Sequence, residues 1–165
     1  MEFKVGIGYD IHRFRTGRKL ILGGVEIPYA MGLDGHSDAD VLIHAICDAI
    51  LGALGKGDIG EHFSNADERY RNISSIKLLE KVYEWVQEED YIVNNVDAIL
   101  QLEEPHLKEY KPKMRFHIAY ALAMDESAIN IKATTKEGLG AIGKKEGVAA
   151  FASVLLAKNK KGTSY

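Results

Sequence analysis

The sequence has little of several features that would place it in a specialised class of protein. It contains 1 cysteine, Cys47, with 3 prolines and 16 glycines in 165 residues. A single cysteine cannot form an intramolecular disulfide, so a disulfide scaffold is excluded and a reducing, cytoplasmic setting is predicted. Proline and glycine are also too sparse for a collagen-like or low-complexity chain.

Neither a strong excess of one charge nor a long apolar run is present. The 21 Lys and Arg against 24 Asp and Glu give a net charge of −3, which predicts no nucleic-acid polymer as a partner. The longest apolar run, residues 148–157, is far below the roughly 20 residues that span a bilayer, so no membrane partner is predicted. Residues 1–6 show no secretory signal.

What the sequence does contain is typical of a globular enzyme-sized domain. Hydrophobic residues make up 46% and charged residues 27%, which is enough to build a core. No Pro/Gly/Ser linker and no internal repeat divides the chain. We therefore predict one domain over residues 1–165.

Hydrophobic periodicity predicts helices alternating with strands. A helix is predicted to start directly after Ser37 and to run to about Leu54, with Asp38 and Asp40 in its first turn. The run 148–157, which periodicity cannot classify, is interpreted as a core strand. The other strands are predicted over residues 3–9, 20–27 with an interruption at the glycine pair 23–24, 91–103 and 129–134, and the other helices over residues 73–89 and around 114–122. This order predicts an α+β fold, an α/β sandwich with helices on one face of a mixed sheet.

Asp10 and His12 end the first predicted strand, where residues two apart point the same way. His44 lies in a nearly all-apolar helix, in one stripe with Asp40 and Asp48. One carboxylate and two imidazoles would leave the fourth position of a tetrahedral zinc ion open, with Asp40 or Asp48 holding the distal nitrogen of a histidine. The alternative is that His44 only pairs with Asp40 or Asp48 while Asp10 and His12 are solvated.

A glycine-rich segment at residues 138–145 satisfies one nucleotide-binding pattern and nearly satisfies another. A dinucleotide fold needs a further strand and an acidic residue beyond it, and a P-loop needs Ser or Thr where Lys145 stands. Both readings therefore fail, and the segment is predicted to be a tight turn between strands.

Two further segments carry groups suited to phosphates and sugars. Residues 132–137 end a strand with two hydroxyls, two amines and the Glu137 carboxylate, which could bind phosphate and magnesium. Residues 57–60 could present Asp58 to ligand hydroxyls. In each case the simpler alternative is a solvated strand end or a turn.

Taken together, these motifs resemble the 2-C-methyl-D-erythritol 2,4-cyclodiphosphate synthase family nearly from end to end. The segments that carry the resemblance are Gly8-Tyr9-Asp10-Ile11-His12, Gly23-Gly24-Val25-Glu26-Ile27-Pro28, His36-Ser37-Asp38-Ala39-Asp40-Val41, His44, Gly57-Asp58-Ile59-Gly60 and Lys132-Ala133-Thr134-Thr135, followed by Glu137 and Gly147. The family cyclises 4-diphosphocytidyl-2-C-methyl-D-erythritol 2-phosphate and releases CMP.

The resemblance implies two metal sites and a homotrimer around a central prism of sheets. Asp10, His12 and His44 would hold zinc or another transition metal, and Glu137 would contact magnesium or manganese. Each active site would lie between adjacent subunits, with residues 102–108 and 134–137 of the neighbour at the nucleotide end.

The resemblance also assigns substrate contacts. His36 and Thr135 would be catalytic through the phosphates, with Ser37 beside them; Asp58 and Gly60 would bind ribose. The remaining substrate-binding set is Asp10, His12, Ile59, Phe63, Asp67, Leu102, Pro105, Leu107, Thr134, Lys136, Glu137 and Lys144. Lys144 stands where family members often carry the arginine that can bind an isoprenoid diphosphate at the trimer axis, and it lacks the bidentate fork.

Other departures from the family pattern are Ser64-Asn65, Lys136 and Gly138. Two other functions fit the same residues: a zinc-dependent phosphoester hydrolase, and a metal-containing trimer that binds a ligand without turnover.

Overall fold

A mixed sheet with helices on one face forms the centre of the computed structural model, which describes residues 2–159. The strands are β1 (Phe3–Arg15), β2 (Leu20–Leu22), β3 (Val25–Ile27), β4 (Gly32–Leu33), β5 (Tyr91–Gln101), β6 (Ile129–Thr134) and β7 (Gly147–Lys158). The helices are α1 (Val41–Leu54), α2 (Ile59–His62), α3 (Ser75–Glu88), α4 (Lys111–Ala121) and α5 (Gly140–Gly143), with short 3₁₀ turns at Glu68–Tyr70 and Glu126–Ala128.

The order of strands in the main sheet is β4-β1-β7-β5-β6. Only β5 and β6 are parallel; the other neighbours pair antiparallel. One row across the sheet joins Asp10, Ala150, Leu100 and Ala133. The carboxyl ends of β1, β5 and β6 therefore lie at the same end of the sheet.

Helix α1 packs unusually close to β1 because two glycines face it. A Cβ atom at Gly6 would lie 1.8 Å from the carbonyl oxygen of Ala49, and one at Gly8 would lie 1.9 Å from that of Ala45. Any side chain at either glycine would push the helix off the strand. This close contact brings His44 of α1 to the level of Asp10 and His12 on β1.

The opposite face of the sheet exposes a row of large apolar side chains. On β1, alternate residues from Phe3 to Ile11 are exposed, with Ile7 at 80%, and Phe151 of β7 and Ile92 of β5 add to the row at 45% and 42%. We call this surface the open face. It contrasts with the helix-covered face, where Val96, Ala98 and Leu100 alternate into the core.

The predicted α/β arrangement, with helices on one face of a mixed sheet, is confirmed, and the uniformly apolar run 148–157 is indeed the central strand β7. Two boundaries were wrong. β1 extends to Arg15. α1 begins at Val41 instead of directly after Ser37, because Asp40 has extended backbone and caps the helix by accepting a hydrogen bond from the Ile43 amide. Asp38 and Asp40 therefore precede its first turn.

The glycine-rich segment contains more than the predicted turn, since α5 lies within it. The ends of the predicted domain, residue 1 and residues 160–165, lie outside the described residues. Within the described part of the chain, no helix is both long and apolar enough to cross a membrane.

Candidate functional site

Asp10, His12 and His44, which we call the triad, converge at one end of the sheet. Oδ2 of Asp10 lies 2.9 Å from Nε2 of His12 and 2.9 Å from Nδ1 of His44, and the two ring nitrogens are 3.2 Å apart. The extended backbone of β1 points Asp10 and His12 the same way. The predicted convergence is confirmed, and the alternative that leaves Asp10 and His12 solvated is wrong.

His12 is oriented by the backbone. Its Nδ1 lies 2.6 Å from the carbonyl oxygen of Asp34, and a carbonyl oxygen can only accept a hydrogen bond. Nδ1 therefore carries the proton in this contact. Nε2, the nitrogen that faces Asp10, is left as the ligand atom.

His44 is oriented by side-chain hydroxyls, and here the sequence prediction was wrong. Nε2 of His44 lies 2.9 Å from Oγ of Ser75 and 3.1 Å from Oγ of Ser37, so neither Asp40 nor Asp48 is its partner. Asp48 lies one turn beyond His44 on α1 and Asp40 caps the start of the helix, but both carboxylates accept hydrogen bonds from backbone amides instead. The contact with Ser75 could not be predicted from the sequence, because Ser75 is far from His44 in the chain and reaches it only in the folded structure.

Asp40 joins the start of α1 to the β2–β3 turn. Its carboxylate accepts hydrogen bonds from the amides of Gly23 at 2.9 Å and Gly24 at 2.7 Å, and from that of Ile43 at 3.2 Å. Burial and the nearby Asp38 charge raise the pKa of Asp40 to about 7 despite those three donors. Asp48 accepts instead from the Ile59 amide at 2.7 Å, which ties α1 to α2.

Contacts within the triad shift the pKa of two of its members. Burial alone would raise the pKa of Asp10, but hydrogen bonds with His12 and His44 hold that pKa well below its ordinary value. Burial lowers the pKa of His12, but Asp10 and Asp34 together raise it by more, so a metal ion would have to displace a proton from this ring. The result is one ionised oxygen and two aromatic nitrogens, all within 4.8 Å of one another. This set of ligand types suits zinc and its neighbours in the transition series.

A pocket of about 180 Å³ opens onto the triad. Besides Asp10 and His12 of the triad, the residues predicted to bind substrate that line it are His36, Ser37, Ile59, Gly60 and Phe63. Sequence analysis did not indicate three further lining residues, Gly35, Tyr70 and Leu78, and it noted Asn65 only as a departure from the family pattern. An aromatic ring contact at 5.3 Å between Phe63 and Tyr70 supports one wall.

The loop that carries His36 and Ser37 is fixed from outside by Arg18. The Arg18 guanidinium donates to the carbonyl oxygens of Gly35 at 3.0 Å and of Ser37 at 2.5 Å. On the inner side, Nε2 of His36 lies 3.0 Å from the carbonyl oxygen of Asp67. Sequence analysis did not single out Arg18, since one arginine on a loop is common.

Asp58 and Asp67 lie around this pocket but do not line it. Asp58 is exposed and caps α2 by accepting from the Glu61 amide at 3.1 Å. Asp67 caps a 3₁₀ turn and pairs with Arg69 at 2.6 Å. Both carboxylates thus already have partners, and a ligand would have to share or replace them.

The remaining predicted residues form a second group, which we call the strand-end cluster: residues 102–107 and 134–137. Here the Leu102 amide donates to the Thr134 carbonyl at 3.0 Å, and the Lys136 amide donates to the Glu103 carboxylate at 2.6 Å. Thr135 donates to Glu137 at 3.2 Å. Leu102 and Leu107 are buried, so only their backbone can meet a ligand.

None of the strand-end cluster lines the pocket at the triad. Ala133 occupies the same row of the sheet as Asp10, but it is three strands away, which corresponds to about 14 Å. Lys144 lies beyond the cluster, exposed at the end of α5. Within one chain, the predicted site residues therefore form two separate groups.

A family model described as the YgbB family matches residues 3–157. Among curated proteins, the chain is 54% identical over 149 residues to one from Lachnospira eligens, covering 90% of this chain and 81% of that protein. It is 52% identical over 157 residues to one from Syntrophus aciditrophicus, covering 95% of this chain and 99% of that protein. Both are named 2-C-methyl-D-erythritol 2,4-cyclodiphosphate synthase.

Solved structures agree. An IspF from Plasmodium falciparum, described as a CDP complex, is 34% identical with a TM-score of 0.85, covering 96% of this chain and 97% of that one. The bifunctional IspDF from Campylobacter jejuni is 46% identical with a TM-score of 0.90, but the match spans 94% of this chain and only 42% of that longer one.

Proposed function

This chain belongs to the YgbB family, and we propose that it catalyses the reaction for which its curated relatives are named. The substrate is 4-diphosphocytidyl-2-C-methyl-D-erythritol 2-phosphate. An oxygen of the 2-phosphate attacks the β-phosphorus, the bond from that phosphorus to the α-phosphate oxygen breaks, and CMP leaves with the electron pair. The product is 2-C-methyl-D-erythritol 2,4-cyclodiphosphate. The observation that carries this proposal is the triad at the base of a small pocket.

The reaction is intramolecular, so the protein needs no nucleophile of its own. It must hold the two phosphates in line and neutralise the charge on the transferred group. The residues that line the pocket offer groups for both tasks. Cys47 is fully buried on α1, where burial raises the pKa of its thiol well above the ordinary value.

Asp10, His12 and His44 would hold the transition metal of this site. When bound, such an ion withdraws charge from a phosphate oxygen. His36 and Ser37 lie on the loop clamped by Arg18, and from there they would orient the phosphates. Ile59 and Phe63 would pack against the methylerythritol chain.

The ribose and the diphosphate would be bound further from the triad. Asp58 and Gly60, at the start of α2, would form hydrogen bonds with the ribose hydroxyls, and the Asp58 carboxylate would be an acceptor. Thr135 would contact the phosphates and Glu137 would supply a carboxylate to magnesium or manganese, for which oxygen ligands are suited. Thr134, Lys136, Pro105 and Asp67 complete the proposed set, with contributions from the backbone at Leu102 and Leu107.

A homotrimer explains how the two groups of residues could meet. The open face exposes five alternate large side chains of β1, and a continuous apolar patch of this kind marks an interface. Packing three open faces around one axis would also bring the strand-end cluster of one chain beside the triad of the next. Lys144 would then lie near the axis, where it could bind an isoprenoid diphosphate.

The test is incubation with the cytidyl diphosphate substrate, with the products read by phosphorus NMR. The expected result is stoichiometric CMP and a cyclic diphosphate that carries no label when the reaction is run in oxygen-18 water. Incorporation of solvent oxygen would indicate the hydrolase instead. Full metal occupancy without CMP release would indicate a binding protein.

A further inference from the structure

We propose that Ser75 and Asp38 are positioning residues that fix a proton on Nε2 of His44 and so reserve Nδ1 for the metal. This inference deepens the proposed function and rests on it, since it concerns the same metal. Ser75 begins α3 and is fully buried, while Asp38 lies in the loop before α1. Neither residue belongs to the triad or lines the pocket beside it.

The direction of the hydrogen bonds follows from what each group can do. The Asp38 carboxylate is within hydrogen-bond distance of the Ser75 hydroxyl through Oδ1, and its Oδ2 accepts from the Ser75 amide at 3.0 Å. A carboxylate only accepts, so the Ser75 hydroxyl donates its single proton to Asp38. The lone pairs of that hydroxyl are then the part available to His44, at 2.9 Å.

Nε2 of His44 must therefore donate. An imidazole with its proton on Nε2 keeps a lone pair on Nδ1. Nδ1 lies 2.9 Å from Oδ2 of Asp10, and because two acceptors do not bond each other, this tautomer suits a metal ion that both atoms would ligate. The relay from Asp38 through Ser75 thus sets both the tautomer and the orientation of this ligand. A second hydrogen-bonded shell of this kind is a regular part of metal sites and also raises ligand basicity.

Ser37 is the weaker of the two hydroxyl partners. Its Oγ is 3.1 Å from Nε2 of His44 and already accepts from the Ala39 amide at 3.1 Å. Among residues 2–159 no carboxylate bonds to the Ser37 hydroxyl, whose other neighbour is Oγ of Ser75 at 3.5 Å. Ser37 can partly replace Ser75, and for this reason we expect loss of Ser75 to weaken the metal site without abolishing it.

The experiment measures zinc affinity of the metal-free protein by competition with a chromophoric chelator. Ser75→Ala is expected to raise the dissociation constant for zinc by about tenfold, the lower end of the range for such partners. Ser74→Ala is the matched control, because Ser74 is the adjacent, exposed serine and makes no side-chain hydrogen bond to cap α3. Its zinc affinity should equal that of the wild type.

A double-variant cycle distinguishes the relay from Asp38 through Ser75 from a general effect of the substitutions on the structure. Asp38→Ala alone should weaken zinc binding, but it should add little in the Ser75→Ala background, since Asp38 acts through Ser75; a merely structural effect would add in full. The cobalt-substituted protein should show an altered visible spectrum in both single variants.

Three outcomes would overturn the relay: unchanged zinc affinity in Ser75→Ala, full additivity in the double variant, or an equal loss in Ser74→Ala. Should Ser75→Ala fail to fold, Asp38→Ala decides alone, and unchanged affinity there overturns the relay. A wild-type protein that binds no zinc at all would instead overturn the metal site in the proposed function, so the two failures are distinguishable.

Discussion

The triad and the strand-end cluster lie at the same end of one sheet, yet they differ in how completely one chain builds them. Every member of the triad has its partners within the chain: a backbone carbonyl for His12 and hydroxyls for His44. Residues 134–137 of the strand-end cluster are exposed and bond mainly to one another and to Glu103. The triad is therefore preorganised, whereas residues 134–137 are held mainly by contacts among themselves and with Glu103.

This difference indicates what an isolated chain can do. Preorganised ligands bind an ion without further ordering, so metal binding should be a property of the single chain. Catalysis should need the second group from a neighbour, because about 14 Å separates the two groups within a chain, three strand spacings across the sheet. Metal binding and turnover should therefore be separable by mutation.

The largest effect is expected for His44→Ala, which removes one of three metal ligands. We expect bound zinc to be lost and turnover to fall by on the order of 10³-fold, since an ion contributes several kcal/mol to such a transition state. Metal analysis and CMP release measure the two effects. His117→Ala removes a histidine of α4 that lies 3.0 Å from the Gly24 carbonyl oxygen and beside the Phe116 ring, away from the triad, and it should change neither. Undiminished zinc in His44→Ala would contradict the triad.

Ile7→Lys tests whether turnover needs the strand-end cluster of a neighbouring chain. Ile7 is 80% exposed at the middle of the open face, and three buried lysines around one axis would repel one another and be costly to desolvate. We expect light scattering to give the mass of one chain and turnover to fall by on the order of 100-fold, while zinc remains bound.

Tyr120→Lys is the matched control for that variant. Tyr120 is 79% exposed on α4, on the helix side of the sheet, and its replacement should leave a particle of about three times the 18.3 kDa chain mass. A wild-type protein that is fully active as a monomer would contradict the shared site.

How far the sequence predicted these two groups depends on how local their contacts are. Asp10 and His12 could be placed together because a strand alternates with a period of two. Ser75 could not be placed beside His44, because their contact depends on how α3 packs on α1. The same reason explains the error at Asp40: this residue caps α1 instead of lying within it, and the β2–β3 turn offers its carboxylate two backbone amides at close range.

The fold was predictable to a similar degree. Amphipathic helices and alternating strands were recognised from periodicity, and even β7 was assigned correctly from a uniformly apolar run. The order of strands in the sheet and the position of the open face could not be predicted, since both depend on pairing between distant segments. Gly6 and Gly8 are an example: their close approach to α1 leaves no local pattern.

Glu137→Gln should have a smaller effect than loss of the triad. A neutral amide is a weaker ligand for magnesium than a carboxylate, so we expect zinc to be retained and turnover to fall about 10- to 100-fold, the range of roughly 1–3 kcal/mol. Raised magnesium or manganese should restore part of it. Glu109→Gln, an exposed acid outside the strand-end cluster, is the control; normal turnover of Glu137→Gln at ordinary magnesium would favour Lys136 as the group that stabilises charge.

The smallest difference from wild type is expected when His44→Ala and Glu137→Ala chains are co-expressed with different tags and the mixed trimers purified. If each site takes its triad from one chain and its strand-end cluster from the next, every mixed ring has one site with both groups intact. Turnover per trimer should then recover to about one third of the wild-type value, although each variant alone is nearly inactive. If both groups acted within one chain, no mixed ring would contain an intact site, and activity no higher than that of the separate variants would contradict the proposed arrangement.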